Sequence, residues 1–114
     1  MSLDDPDRVR PLFLALGRSR DPRVFPALQA LIGPSVRSRA DLVTALGLLG
    51  DARAVPTLAE LLASDPYVPV RTAAATALGR LSGTEAQTAL QQAAARERES
   101  LVRTAIAAAL AGAP

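Results

Sequence analysis

The sequence contains no cysteine, no histidine, no lysine and no tryptophan. Without thiols or imidazoles there is no disulfide scaffold, no zinc finger and no thiol nucleophile. A Ser-His-Asp triad and a His-ligated metal or haem are excluded for the same reason. Glycine is scarce, with 7 residues, so a phosphate-cradling loop has little to build with. Aromatic residues make up 3% of the chain, too few for a row of base-stacking platforms. No apolar run reaches membrane-spanning length, and no signal-peptide pattern opens the chain. These absences argue against most enzymes, and no cofactor, no metal and no membrane partner are expected. A cytoplasmic location is the default expectation.

What remains is rich in leucine and alanine. Hydrophobic residues are 49% and charged residues 21% of 114, the balance of one folded domain or one short repeat array. Leu and Ala are strong helix formers and the β-branched set is thin, so a mostly α protein follows. Abundant Ala lets helix axes approach closely. All 13 basic residues are Arg, set against 11 acids, for a net charge of +2. Acids are interleaved with the arginines throughout, which is too balanced for a strong nucleic-acid footprint.

The chain repeats itself. Leu16-Gly17, Leu46-Gly47, Leu78-Gly79 and Leu110-Ala111 recur at steps of 30, 32 and 32 residues. Asp21-Pro22-Arg23-Val24-Phe25-Pro26-Ala27-Leu28 matches Asp51-Ala52-Arg53-Ala54-Val55-Pro56-Thr57-Leu58 at a step of 30. Arg39, Arg71 and Arg103 form a third register, each seven residues before the Leu of its pair. Pro, Gly and Asp clusters punctuate each unit into two helices. The spacing predicts helices near 7–17, 22–32, 36–49, 52–64, 68–81, 84–96 and 100–111. Units fall at roughly 6–20 (a half repeat), 21–50, 51–82 and 83–114.

Gly50-Asp51-Ala52-Arg53-Ala54-Val55-Pro56-Thr57-Leu58 and Val70-Arg71-Thr72-Ala73-Ala74-Ala75-Thr76-Ala77-Leu78-Gly79 resemble the two halves of a short HEAT-like repeat of the phycobilisome-lyase type. Val102-Arg103 to Leu110 repeats the second half. The period is shorter than that of ordinary HEAT units, about 40–47 residues, but ankyrin and tetratricopeptide signatures are absent. The resemblance implies an all-α fold, a right-handed α-solenoid of about three and a half helix pairs and about seven helices. It implies second helices on the concave face and recognition there. It also implies pairing of Asp65 with Arg71.

Arg39, Arg71 and Arg103 are read as a structural ladder that bonds turn acids or carbonyls of a neighbouring unit. The other reading points them into the groove toward an acidic partner. The register marks Thr72, Ala75, Thr76, Gly79 and Arg80 as positions the core does not need. Their counterparts place Phe13, Leu14, Val43 and Leu48 where solvent is expected, and such apolar groups suggest an interaction surface. These four are the expected anchors, with Arg10, Thr44, Thr72, Thr76 and Arg80 at the rim. The expected partner is another protein or a second copy of the chain, and the expected role is non-catalytic scaffolding.

Other motifs are weaker. Asp4/Asp5/Asp7 and Glu97/Glu99 read as solvated helix-end charge. No seryl hydroxyl has a His or Lys beside it to activate it. The N-terminal arginines Arg8, Arg10, Arg18, Arg20, Arg23, Arg37 and Arg39 leave a nucleic-acid-binding alternative, weakened by the interleaved acids. A bilin-lyase role rests on resemblance alone and transfers no catalytic residue.

Overall fold

A computed structural model describes residues 6–33 and 36–112. The described residues form seven helices and no strand: α1 (Pro6–Arg18), α2 (Phe25–Ala30), α3 (Val36–Leu49), α4 (Val55–Ser64), α5 (Val68–Leu81), α6 (Gly83–Arg96) and α7 (Ser100–Ala111). The predicted boundaries hold within a residue or two except at the starts of α2 and α4. There the chain enters through 3-10 turns, Pro22–Val24 and Ala52–Ala54. Asp21 and Asp51 cap these turns by accepting the main-chain N–H of Arg23 and Arg53. Pro26 and Pro56 then sit at the first turn of the α-helix, where a missing N–H costs nothing. The third unit has no such cap. Its chain turns from α5 into α6 through Ser82 and Gly83, both at positive φ.

The helices form two layers. The second helices of the units, α1, α3, α5 and α7, stack side by side in chain order. The first helices, α2, α4 and α6, lie over them and touch one another far less. One continuous core runs between the layers, with Leu28, Leu42, Leu46, Leu58, Leu62, Leu78, Leu90 and Ile106 fully buried. The layer whose members sit closer together is the inner side of a bend. The second helices therefore make the concave face of an α-solenoid.

Two glycines set that spacing. A Cβ on Gly47 would lie 2.8 Å from the Cβ of Ala77, and one on Gly79 would lie 2.7 Å from the Cβ of Ala109. Neither distance is possible between real side chains, so the glycine of each Leu-Gly pair is where the next second helix comes closest. An added methyl at Gly47 gains about 1 kcal/mol of helix propensity but costs about 1–3 kcal/mol of overpacking. Gly47→Ala is expected to lose about 1 kcal/mol in urea unfolding. A Cβ on Gly47 would also lie 2.9 Å from the Ala77 Cα, so Gly47→Ala/Ala77→Gly is expected to lose at least as much as Gly47→Ala alone.

Candidate functional site

The arginine ladder is built at the junctions between helices. Arg39 donates from Nε and Nη2 to the Asp65 carboxylate at 2.8 and 3.3 Å, and from Nη1 to the Gly33 carbonyl at 2.9 Å. Arg71 repeats this geometry. Its Nε and Nη2 reach Glu97 at 3.0 and 3.2 Å, and its Nη1 reaches the Asp65 carbonyl at 2.9 Å. Each arginine thus ties its own junction to the carboxylate of the next. The expected Asp65–Arg71 pair needs correcting: Arg71 takes only the main-chain oxygen of Asp65, whose carboxylate belongs to Arg39. The reason is reach, since the guanidinium fork points toward the following unit. These side chains are largely buried, at 11% and 4% exposure for Arg39 and Asp65 and 16% and 9% for Arg71 and Glu97. A hollow of about 340 Å³ beside the second rung is lined by Asp65, Arg71 and Glu97, whose charges are already engaged. Arg103 donates to the Glu97 carbonyl at 3.4 Å and is otherwise exposed, with no carboxylate bonded to it among the described residues.

The Asp-x-Arg motif is also structural. Arg23 and Arg53 return to the carboxylates of Asp21 and Asp51 at 2.7 Å. These side-chain hydrogen bonds, followed by those from the arginine backbone, hold both carboxyls below the usual aspartate range. Arg53 also donates to the Pro22 carbonyl at 2.9 Å and lies 4.5 Å over the Phe25 ring, joining two units.

The surface left available is the inner face. Leu14, Thr44, Thr76 and Ala108 occupy one period-matched row across it, and Arg18, Leu48, Arg80 and Gly112 the next. Thr44, Thr76, Arg18 and Arg80 are exposed, while Leu14, Leu48 and Thr72 are half-buried. The hydroxyls of Thr44 and Thr76 turn back to the carbonyls of Ala40 and Thr72, at 3.0 and 3.2 Å, which keeps the floor smooth. A shallow groove between α5 and α7 runs past Thr76, Arg80, Ala105 and Ala108. Arg10, 59% exposed, donates from Nε to Asp41 at 3.0 Å. Asp41 is the only carboxylate among the described side chains of the four second helices, and it is buried. The exposed acids Glu60 and Glu85 lie on first helices. Among the described side chains, the inner face therefore presents arginine without an exposed acid.

Two expected anchors are in the wrong place. Phe13 and Val43 are 1% and 0% exposed, inside the core. Their position faces the following second helix rather than solvent: Ala75 is buried there too, while Ala107, on the last of the described helices, is exposed. Leu14 and Leu48 do reach the inner face. Sequence reasoning missed Asp41, whose only signal is its place 31 residues after Arg10, one second helix along. Arg8 and Arg37 of the N-terminal cluster have side chains outside the described residues.

A family model for HEAT repeats matches residues 33–111. The chain belongs to the HEAT-repeat family. The match covers the last two helix pairs whole and α3 before them, and it reaches the HEAT repeat without reaching the lyase subtype. No curated protein matches the sequence. HEAT repeats serve mainly as protein-binding scaffolds, and this HEAT-repeat chain carries their two-layered stack with its second helices on the inside.

The rungs make the HEAT-repeat stack sensitive to substitution and to acid. Arg71→Ala leaves the Glu97 carboxylate buried without its cation and is expected to cost about 3 kcal/mol in urea unfolding. Arg103→Ala, at a rung without an acid, should stay within about 0.5 kcal/mol. Burial pushes the Glu97 carboxyl up. The Arg71 hydrogen bond, the Glu99 backbone N–H, the Arg71 charge and the Arg98 backbone N–H outweigh burial and hold it below the ordinary glutamate range. A depressed carboxylate stabilises the fold above its unfolded pKa, and that contribution is lost as pH falls through the folded value. Acid titration of stability should therefore be steeper below the ordinary glutamate range in the wild type than in Glu97→Gln.

Proposed function

We propose that this chain is a non-catalytic docking module that holds an acidic segment of another protein along its inner helical face. The observation that carries this reading is the charge of that face. Arg10, Arg18 and Arg80 reach solvent there, and the single described carboxylate of the second helices is buried against Arg10. The row of Leu14, Thr44, Thr76 and Ala108 gives a shallow floor on which a helix or extended strand can lie. Leu14 and Leu48 add apolar contact, and the arginines supply orientation and on-rate. Phe13 and Phe25 are buried and Tyr67, at the α4–α5 junction, is the one exposed ring among the described residues, so there is no row of rings for bases to stack on, which favours protein over nucleic acid.

The test is Arg18→Glu/Arg80→Glu. Both residues are exposed, so the variant should keep the wild-type helicity and urea midpoint. The wild type, immobilised in extract of its source cells at low salt, is expected to retain proteins through acidic segments. Both moderate salt and the double variant should release them. Retention of the same proteins by the variant, at the same salt dependence, would remove the inner face from consideration.

A further inference from the structure

The turns that leave α1, α3 and α5 pass through one equivalent position, held by Arg20, Gly50 and Ser82 at steps of 30 and 32 residues. All three have positive φ, 55°, 75° and 54°. Glycine adopts that conformation freely, whereas any side chain brings its Cβ against the following carbonyl. Ser82 bears this strain with a short side chain. Arg20 bears it with a long cation, on a turn whose backbone is well tied. Ser19 donates its hydroxyl to the Leu16 carbonyl and accepts the Asp21 N–H, and the Arg20 N–H donates to the Gly17 carbonyl.

The Arg20 guanidinium is seated on the next unit. Its Cζ, Nη1 and Nη2 lie 3.5, 3.6 and 3.2 Å from where a Cβ on Gly50 would be, so its flat face rests over the bare glycine. Arg80 reaches the same end of α3 from the other side, its Cδ 3.5 Å from where a Cβ on Gly47 would be. Gly47 and Gly50 are about one helical turn apart, and Leu48 between them is half-buried on the inner face. Both arginines are exposed, and neither side chain makes a hydrogen bond or ion pair among the described residues. Asp21 and Asp51, the aspartates of these turns, are held by Arg23 and Arg53. The negative end of the α3 dipole favours cations here. Described helices lie on both sides of α3, with α1 before it and α5 after it.

We infer that the end of α3 anchors the acidic segment proposed for the inner face. One carboxylate of the segment sits on Arg20, a second on Arg80, and an apolar side chain between them on Leu48. This deepens the inner-face reading and rests on it. A guanidinium whose flat face is occupied keeps its N–H edge for a ligand, and that edge matches a carboxylate through two parallel bonds. Backbone strain at Arg20, with no ion pair in the chain to offset it, fits a cation held ready for a partner. The pattern recognised is therefore acid, apolar, acid, rather than negative charge alone.

The experiment is fluorescence anisotropy at low salt with a fluorescein-labelled peptide, Glu-Glu-Leu-Glu-Glu flanked by glycine and serine. The wild type is expected to bind it. Arg20→Gly should weaken binding at least about tenfold, the scale of one charge-assisted contact. Its urea midpoint should stay equal or rise, because glycine relieves the positive φ. Gly50→Ala should weaken binding too, although it keeps every charge, because the added methyl displaces the guanidinium. Circular dichroism checks that this variant keeps its helices. Arg96→Ala removes the same charge from the exposed end of α6 and should change binding by no more than about twofold. The anchor alone is overturned if Arg20→Gly binds like the wild type while Arg18→Glu/Arg80→Glu does not. It is also overturned by a folded Gly50→Ala that binds like the wild type, or by Arg96→Ala weakening binding as much as Arg20→Gly. A lowered urea midpoint in Arg20→Gly would make Arg20 a structural group and has the same consequence. A wild type that ignores the peptide, or binding that Arg18→Glu/Arg80→Glu leaves unchanged, overturns the inner-face reading and the anchor with it.

Discussion

The close approach of successive second helices is the constraint on which the rest of the molecule depends. It is made by a glycine on one helix and an alanine on the next, Gly47 against Ala77 and Gly79 against Ala109. Gly17 repeats it against the backbone at Ala45. Backbones that approach this closely gain many small dispersion contacts, and they draw the inner layer together while the first helices remain apart. The bend and the concave face follow from that difference in spacing. So does the texture of the face: beside the Gly47 and Gly79 contacts the neighbouring row carries the short side chains of Thr44, Thr76 and Ala108, with Leu14 at its α1 end. The longer groups, Arg18, Leu48 and Arg80, come one turn further along.

The ladder acts on a different part of the stack. Gly–Ala contacts set how near the second helices lie, whereas Arg39 and Arg71 fix how each helix junction sits on the next. Buried ion pairs are weak sources of net stability, because desolvation offsets much of their attraction. Their cost when broken is large, and that asymmetry makes them specifiers of register. A unit that slid along its neighbour would strand Asp65 or Glu97 without a cation. In a solenoid, where each unit touches only its neighbours, such register marks must be repeated at every step.

Most of the fold was legible in the sequence because its signals are periodic. The Leu-Gly pairs, the Asp-x-Arg turns and the spaced arginines each reported the same repeat, and caps and prolines bounded the helices closely. The inner-face residues Thr44, Thr76 and Arg80 were legible for the same reason. Phe13 and Val43 were misread because a second helix in a stack has more than one buried side. Amphipathic spacing identifies the side packed on the first helix. The side packed on the following second helix is invisible until the stacking direction is known, and small residues such as Ala75 at the same position disguise it as surface. The Asp65–Arg71 pairing failed by one step for a related reason, since spacing cannot say whether a side chain reaches back or forward. Asp41 carried no repeated signal at all, as its counterparts are Pro11, Ala73 and Ala105.

The exclusive use of arginine has a structural account at four positions. Arg39 and Arg71 each bond a carboxylate and a carbonyl through three nitrogens of one guanidinium. Arg23 and Arg53 each grip a carboxylate through two. A lysine ammonium has no planar fork with which to do either. These pairs also explain why the near-neutral net charge misrepresents the surface. Asp21, Asp41, Asp51, Asp65 and Glu97 are all engaged by arginines of the same chain. Once those charges are set aside, the exposed acids Glu60 and Glu85 remain on the outer layer, and none is left among the described side chains of the second helices. The cations that still face solvent on the second helices are concentrated where the stack is concave and at its α7 edge. A charge count over the whole sequence averages these surfaces to almost nothing, and only the pairing geometry separates them.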